Sequence, residues 1–216
     1  MSSITIFILG IILFIIFVYN FMKRSIIKKL AAALKEKRYD EVIQIAQANM
    51  TRSLAGRYIC DLHLLRALYF KEDTEVFLNT LKAVLQETGD KAERKDYLET
   101  YFHLFLKKKN KEIVDQLLIL IQEHGSYNFN MVTQFAYDIT FTNTSSNVAE
   151  LEKELDNLRF FDLGVAALYL AKYYENQKGF DQAYALYESV AGILPVTHYY
   201  AVEAKEALER FEVIEE

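Results

Sequence analysis

Hydrophobic residues first run together along this chain and then fall into a helical rhythm. Residues 4–22 carry no charge, and fourteen of these nineteen are Ile, Leu, Phe or Val. At ~1.5 Å rise per residue, a helix of that length matches a hydrocarbon core about 30 Å thick. Beyond Lys23 the apolar residues recur every three or four positions, broken by short polar or glycine-containing connections. That is the pattern of amphipathic helices packed side by side. The spacing predicts helices over 24–36, 39–50, 53–70, 73–88, 91–108, 110–124, 127–142, 146–159, 162–177, 180–193 and 197–213. Thr74 or Asp73, Ser126 or Asn128, and Ser145, Ser146 or Asn147 are candidate N-caps, with Glu150 placed for a capping box. Gly89, Gly125 and Gly179 stand where helices should end, in the left-handed C-cap conformation that glycine takes without steric cost.

Composition agrees with an all-α chain. Seven Gly and one Pro supply too little turn chemistry for many short strands. No linker rich in Ser, Gly or Pro divides residues 39–216, so they read as one helical domain following a short N-terminus (1–3), a transmembrane helix (4–22) and a basic juxtamembrane segment (23–38). A net charge of −5 argues against nucleic acid as a partner. The lone Cys60 excludes an intramolecular disulfide and reads as a small buried hydrophobe.

The charges beside the apolar run set its expected orientation. Lys23, Arg24, Lys28, Lys29, Lys35, Lys37 and Arg38 follow it, while Met1-Ser2-Ser3 has neither Lys nor Arg. The positive-inside rule then places the N-terminus outside and the helical domain in the cytoplasm. The run lacks the basic leader and small-residue exit of a cleaved signal peptide. Lys23, Arg24, Lys28 and Lys29 could also hold anionic lipid headgroups. The sequons at Asn49 and Asn143 read as chance matches in a cytoplasmic domain.

Residues 165–195 form the clearest single unit. In the first of its two helices Ala167, Leu170, Ala171 and Tyr174 share a face; in the second, Phe180, Ala183, Tyr187 and Val190 or Ala191 share another. Ala171 and Ala183 let the two backbones approach, the aromatics fill the space around them, Gly179 makes the turn and Pro195 ends the second helix. This unit resembles the tetratricopeptide repeat, a 34-residue helix–turn–helix module with small residues at the crossing and a terminal proline. Lys37-Arg38-Tyr39-Asp40-Glu41-Val42 echoes Lys178-Gly179-Phe180-Asp181-Gln182-Ala183, and Val76 follows Val42 by 34 residues. The resemblance implies an α-solenoid of stacked, partly degenerate hairpins ending in a capping helix with a charged outer face. It also implies a concave groove for protein partners. Leu168, Lys172, Glu175 and Asn176 would line that groove in the best unit, and Tyr58, Asp61 and Leu65 would do so in an earlier one. The aromatic doublets Tyr69-Phe70, Tyr101-Phe102 with Phe105, Phe160-Phe161, Tyr173-Tyr174 and Tyr199-Tyr200 could each present one ring there. The Asn and Lys or Arg pattern by which family members clamp a terminal carboxylate is not matched at Tyr58, Asp61 and Leu65.

The sequence carries no phosphate-binding loop, nucleophile elbow, zinc-protease or calcium-loop motif. Glu99 and His103, one helical turn apart, could share a metal, but a third ligand is not apparent. The expectation is a non-enzymatic, membrane-anchored adaptor or scaffold without cofactor or small-molecule substrate. A self-assembling membrane protein is the alternative, and an enzyme with an unrecognised site the third reading. In plan it is similar to anchored tetratricopeptide proteins of bacterial envelope assembly, at the inner membrane, and of mitochondrial outer-membrane import. The fourteen apolar residues contribute about −4 to −8 kcal/mol to insertion, whereas two arginines at its centre would cost about 5–7 kcal/mol. Alkaline carbonate washing should therefore leave the chain in the membrane pellet, and Ile12→Arg with Ile15→Arg should release much of it.

Overall fold

A computed structural model describes residues 3–214, with side chains over 7–211. The expected N-terminal tip, apart from Ser3, lies outside the described residues, as does the side chain of Glu212 on the expected capping helix. Among the described residues the chain is helical without a strand. The helices are α1 (Ser3–Lys35), α2 (Tyr39–Gln47), α3 (Asn49–Ala55), α4 (Arg57–Lys71), α5 (Thr74–Glu87), α6 (Lys91–Lys107), α7 (Lys111–His124), α8 (Tyr127–Thr142), α9 (Val148–Glu154), α10 (Phe160–Asn176), α11 (Phe180–Ile193) and α12 (Tyr199–Ile214). A 3-10 turn, Leu155–Asn157, follows α9. The chain gathers into two compact units, Met1–Glu93 and Arg94–Glu216.

In the first unit, α1 is the one described helix long and apolar enough to cross a membrane by length and composition, and its apolar stretch is not buried by protein. The sequence predicts a separate helix from residue 24, but α1 runs on unbroken, because no Gly or Pro after Gly10 interrupts it before Lys35. Its far end turns inward: Leu30 and Ala33 are fully buried where α1 meets α2, α3 and α4. The two helices expected over 39–50 and 53–70 are three. Ala48 is extended, and Gly56 has φ +94°, a conformation that suits glycine, so α3 is cut off on both sides. Arg52 on α3 ties it to α4 through the buried carboxylate of Asp61, at 2.7 Å. Arg57 adds a second contact at 3.4 Å.

The second unit is built round α10. Every residue from Gly164 to Ala171 is buried, because α8, α11 and α12 all pack against this helix. It packs along much of its length against α11. Ala171 and Ala183 are both fully buried there, with Tyr187 filling beside them. Gly164 lets Leu194 in: a Cβ at this position would lie 2.6 Å from the leucine side chain. α11 ends at Ile193 ahead of Pro195, as the sequence predicts.

The helix ends correct one expectation. Gly89, Gly125 and Gly179 do not take positive φ; Lys37, Glu72, Lys109, Asn143 and Lys178 do, each closing a helix, and so does Phe160 at the start of α10. At Lys37, Lys109 and Lys178 the turn is the same. The following amide donates to the carbonyl five residues back (Arg38 to Ala33, 2.8 Å; Asn110 to Phe105, 3.1 Å; Gly179 to Tyr174, 2.8 Å). The lysine amide itself donates three residues back, so the helix carbonyls are satisfied. Glu72 takes the same conformation with its own three-back bond, 3.3 Å. These left-handed residues tolerate the position because they are exposed, at about 1–2 kcal/mol each. The next residue starts the following helix, and Asp73 and Asn110 cap it through Val76 and Ile113. Ser126 caps α8 through Phe129 as expected. The expected box at α9 does not form: Asn147 makes no side-chain cap, and Glu150 accepts from Tyr127 instead. The helix expected over 146–159 is accordingly only α9 and its 3-10 turn.

Because α10 and α11 meet over alanine, Ala183→Leu should destabilise the chain by about 1–3 kcal/mol. The detergent-solubilised protein should unfold at visibly lower temperature, whereas Ala185→Leu on the exposed face of α11 should leave the midpoint nearly unchanged.

Candidate functional site

The α12 sequence has two faces. Tyr200, Ala201, Ala204 and Ala207 are buried, whereas Tyr199, Val202, Glu203 and Glu206, spaced three and four apart, face a cleft of about 450 Å³. Leu106 and Lys107 of α6, Thr140 of α8, and Tyr169 and Lys172 of α10 complete its walls, with Lys109 and Thr197 at the ends. The cations lie over rings: Lys107 Nζ is 4.7 Å from the Tyr199 ring centre, and Lys172 Nζ is 4.7 Å from that of Tyr169. Lys172 also pairs with Glu203 at 2.6 Å.

A polar chain backs the cleft. Tyr169 and Tyr200 hydroxyls are 3.2 Å apart, and Tyr200 Oη lies 2.8 Å from His103 Nδ1 on α6. Phe161, Phe102 and His198 pack round that imidazole or the Tyr200 ring. Burial drives the His103 pKa down to about 3, with His198 and Lys95 adding to the effect, so the ring is neutral. Burial also pushes Tyr169 up to about 12 and holds Tyr199 and Tyr200 above the ordinary range. All three are neutral phenols at neutral pH, able to donate and accept hydrogen bonds. The cleft therefore offers aromatic faces, hydroxyls and the exposed Lys107 ammonium.

The residues expected to bind a partner are dispersed. Lys172 lines the cleft, and Asn176 is exposed at the end of α10. Leu65 and Leu168 are wholly buried. They belong to the core, because α4 and α10 are covered on faces that a single-sided helix would leave open. Asp61 is spent on Arg52 and Arg57, with Tyr58 half-buried nearby. Glu175 accepts from Tyr187 (2.6 Å) and Arg210 (3.3 Å), tying α10 to α11 and α12. Of the aromatic doublets, Tyr101, Phe102 and Phe105 are core, Phe70 is exposed while Tyr69 is buried, and Tyr173 and Tyr174 are half-buried. Phe160 is 86 % exposed. In Tyr199-Tyr200 the second ring is buried and the first lies on the cleft wall. Lys107, Tyr169 and Val202 were not singled out by the sequence, and Glu203 was expected on the solvated outer face of the capping helix. The three- and four-residue spacing on α12, opposite its alanines, was the available signal.

Glu99 and His103 do not converge on a shared point: His103 meets Tyr200, and Glu99 lies 3.3 Å from Lys95. Among the described residues no group of three or more metal-ligating side chains gathers. Comparison with protein-family models, with curated proteins and with solved structures gave no match.

Glu99 and His103 do oppose each other in titration. Burial raises the Glu99 carboxyl to about 7 from 4.5, against the pull of Lys95. Between pH 4.5 and 7 the folded state holds a proton there that the unfolded chain has lost, so stability from Glu99 falls as pH rises. His103 has the reverse sign: between 6.5 and about 3 only the unfolded chain is protonated, so stability falls as pH falls. Each slope is about 1.4 kcal/mol per pH unit, and they offset each other from 4.5 to 6.5. Glu99→Gln should expose the His103 slope, losing stability steadily below pH 6.5. His103→Gln should lower overall stability yet show stability rising as pH falls from 7 to 4.5. Thermal melts across this range check both.

Proposed function

We propose that this chain is a membrane-anchored helical-repeat adaptor that holds a protein partner in the cleft lined by α6, α8, α10 and α12. The observation that supports the reading is that each of these helices is the first of a helix–turn–helix pair or the terminal helix, as the helices lining the partner-binding face of a tetratricopeptide-like fold would be. The repeat reading draws support from the turns at Lys37, Glu72, Lys109 and Lys178. They stand 35, 37 and 69 residues apart, close to one, one and two periods of a 34-residue unit. α8 and α9 then make a shortened unit between the third and fourth turns.

In this reading α1 anchors the protein, and the basic residues after it place the helical units on the cytoplasmic side, of a bacterial inner membrane before a mitochondrial outer one. Confinement beside the bilayer raises the effective concentration of membrane-associated partners, so modest contacts suffice. Tyr169 and Tyr199 would stack against an extended segment, and Lys107 would meet an acidic group on it.

A photo-crosslinking residue at Val202, on the cleft wall, should give discrete protein adducts in native membranes that one at Val76, exposed on α5, does not. Lys107→Glu should abolish those adducts. Adducts common to both positions, or indifferent to Lys107→Glu, would count against the cleft as the binding surface.

A further inference from the structure

The protein fold begins before the apolar stretch of α1 ends. Side chains from Phe7 to Phe17 are exposed, but Val18 and Met22 are already half-buried, and the same face continues through Ile26 to the buried Leu30. The covering element at this level includes α3, since the Tyr19 hydroxyl donates to the carbonyl of Leu54 at 3.3 Å. In a helix the Cα–Cβ bond tilts toward the N-terminus, so Leu54 sits level with Tyr19 or nearer the centre of the apolar stretch.

Length decides what this means. Residues 4–17 alone rise about 21 Å, well short of a hydrocarbon core of ~30 Å, whereas 4–22 rise about 28 Å. If α1 spans a bilayer, its last turn must lie within the lipid, and α3, bonded to that turn, lies with it. The exposed surface of α3 suits this depth. Met50 is 65 % exposed and shares a face with Leu54 four residues on; along α1, Tyr19 and Phe21 are exposed aromatics and the basic Arg24 and Lys28 follow them, as at a headgroup boundary. Arg52–Asp61 and the turn at Gly56 fix α3 in this pose.

We propose that α3 is a lipid-contacting helix, seated in the interfacial layer of the bilayer with Met50 among the upper acyl chains. The inference rests on α1 spanning the membrane. With α1 it gives the first unit two points of contact, which fix its tilt at the membrane surface.

The chain has no Trp, so a single introduced one reports cleanly. Full-length Phe14→Trp, Met50→Trp and Val76→Trp would each be reconstituted in phosphatidylcholine–phosphatidylglycerol vesicles containing lipid brominated either high or low on the acyl chain. Met50→Trp should show blue-shifted emission and lose intensity chiefly to the high-brominated lipid. Phe14→Trp should lose it to the low-brominated lipid, and Val76→Trp to neither. Should Met50→Trp alter the far-UV spectrum, Asn49→Trp, also exposed, reads the same layer. Quenching of Phe14→Trp without quenching at Met50 overturns the proposal and leaves the span standing. A blue shift at Met50 that no brominated lipid touches would mean a protein surface covers α3, and also overturns it. Absence of quenching at Phe14 removes the span and the proposal together.

Discussion

The unbroken hydrogen-bond ladder of α1 couples the two halves of this protein's chemistry. Its first part is oily and uncovered, and its last turns are the first layer of a packed helical unit. A sharp hinge between them would have needed glycine or proline, and the sequence supplies neither between Gly10 and Lys35. Whatever holds the apolar half therefore also orients α2, α3 and α4, which pack on the other half. A flexible linker would have left those helices free to turn over the surface.

Beyond α1 the chain solves one problem repeatedly: how to reverse a helix within two or three residues while satisfying its last carbonyls. It does so with a left-handed residue followed by one near φ −83°, at Lys37, Glu72, Lys109 and Lys178. The side chains at these positions are charged and exposed, so the left-handed strain is local and does not compete with core packing. The core is then free to vary. Small alanines, Ala171 and Ala183, are buried where α10 packs on α11, whereas the buried positions of α6 are largely aromatic.

In the second unit the polar groups are arranged inside out. His103, buried behind the cleft wall, is kept neutral and serves as a hydrogen-bond partner for Tyr200. The surface it supports carries tyrosine rings under lysine ammonium groups, a combination suited to holding a ligand in place. Rigid support behind an adaptable, partly charged face is what a binding surface requires.

Periodicity alone was enough for the all-helical class, the long apolar helix, most helix positions and the alanine contact between α10 and α11, because these follow from local spacing and residue size. It was not enough for the cleft. Leu168 and Leu65 share faces with polar residues, yet both are core, since a helix with neighbours on three sides buries what an amphipathic reading leaves outside. Glu175 looked available until Tyr187 and Arg210, 12 and 35 residues away, were brought to it. The left-handed turns were likewise misassigned to glycine, because lysine at an exposed helix end bears the strain at small cost and leaves no compositional trace. Spacing along a helix is a local property and can be read from the chain. Which face meets solvent depends on neighbours many residues away, and only the folded arrangement supplies them.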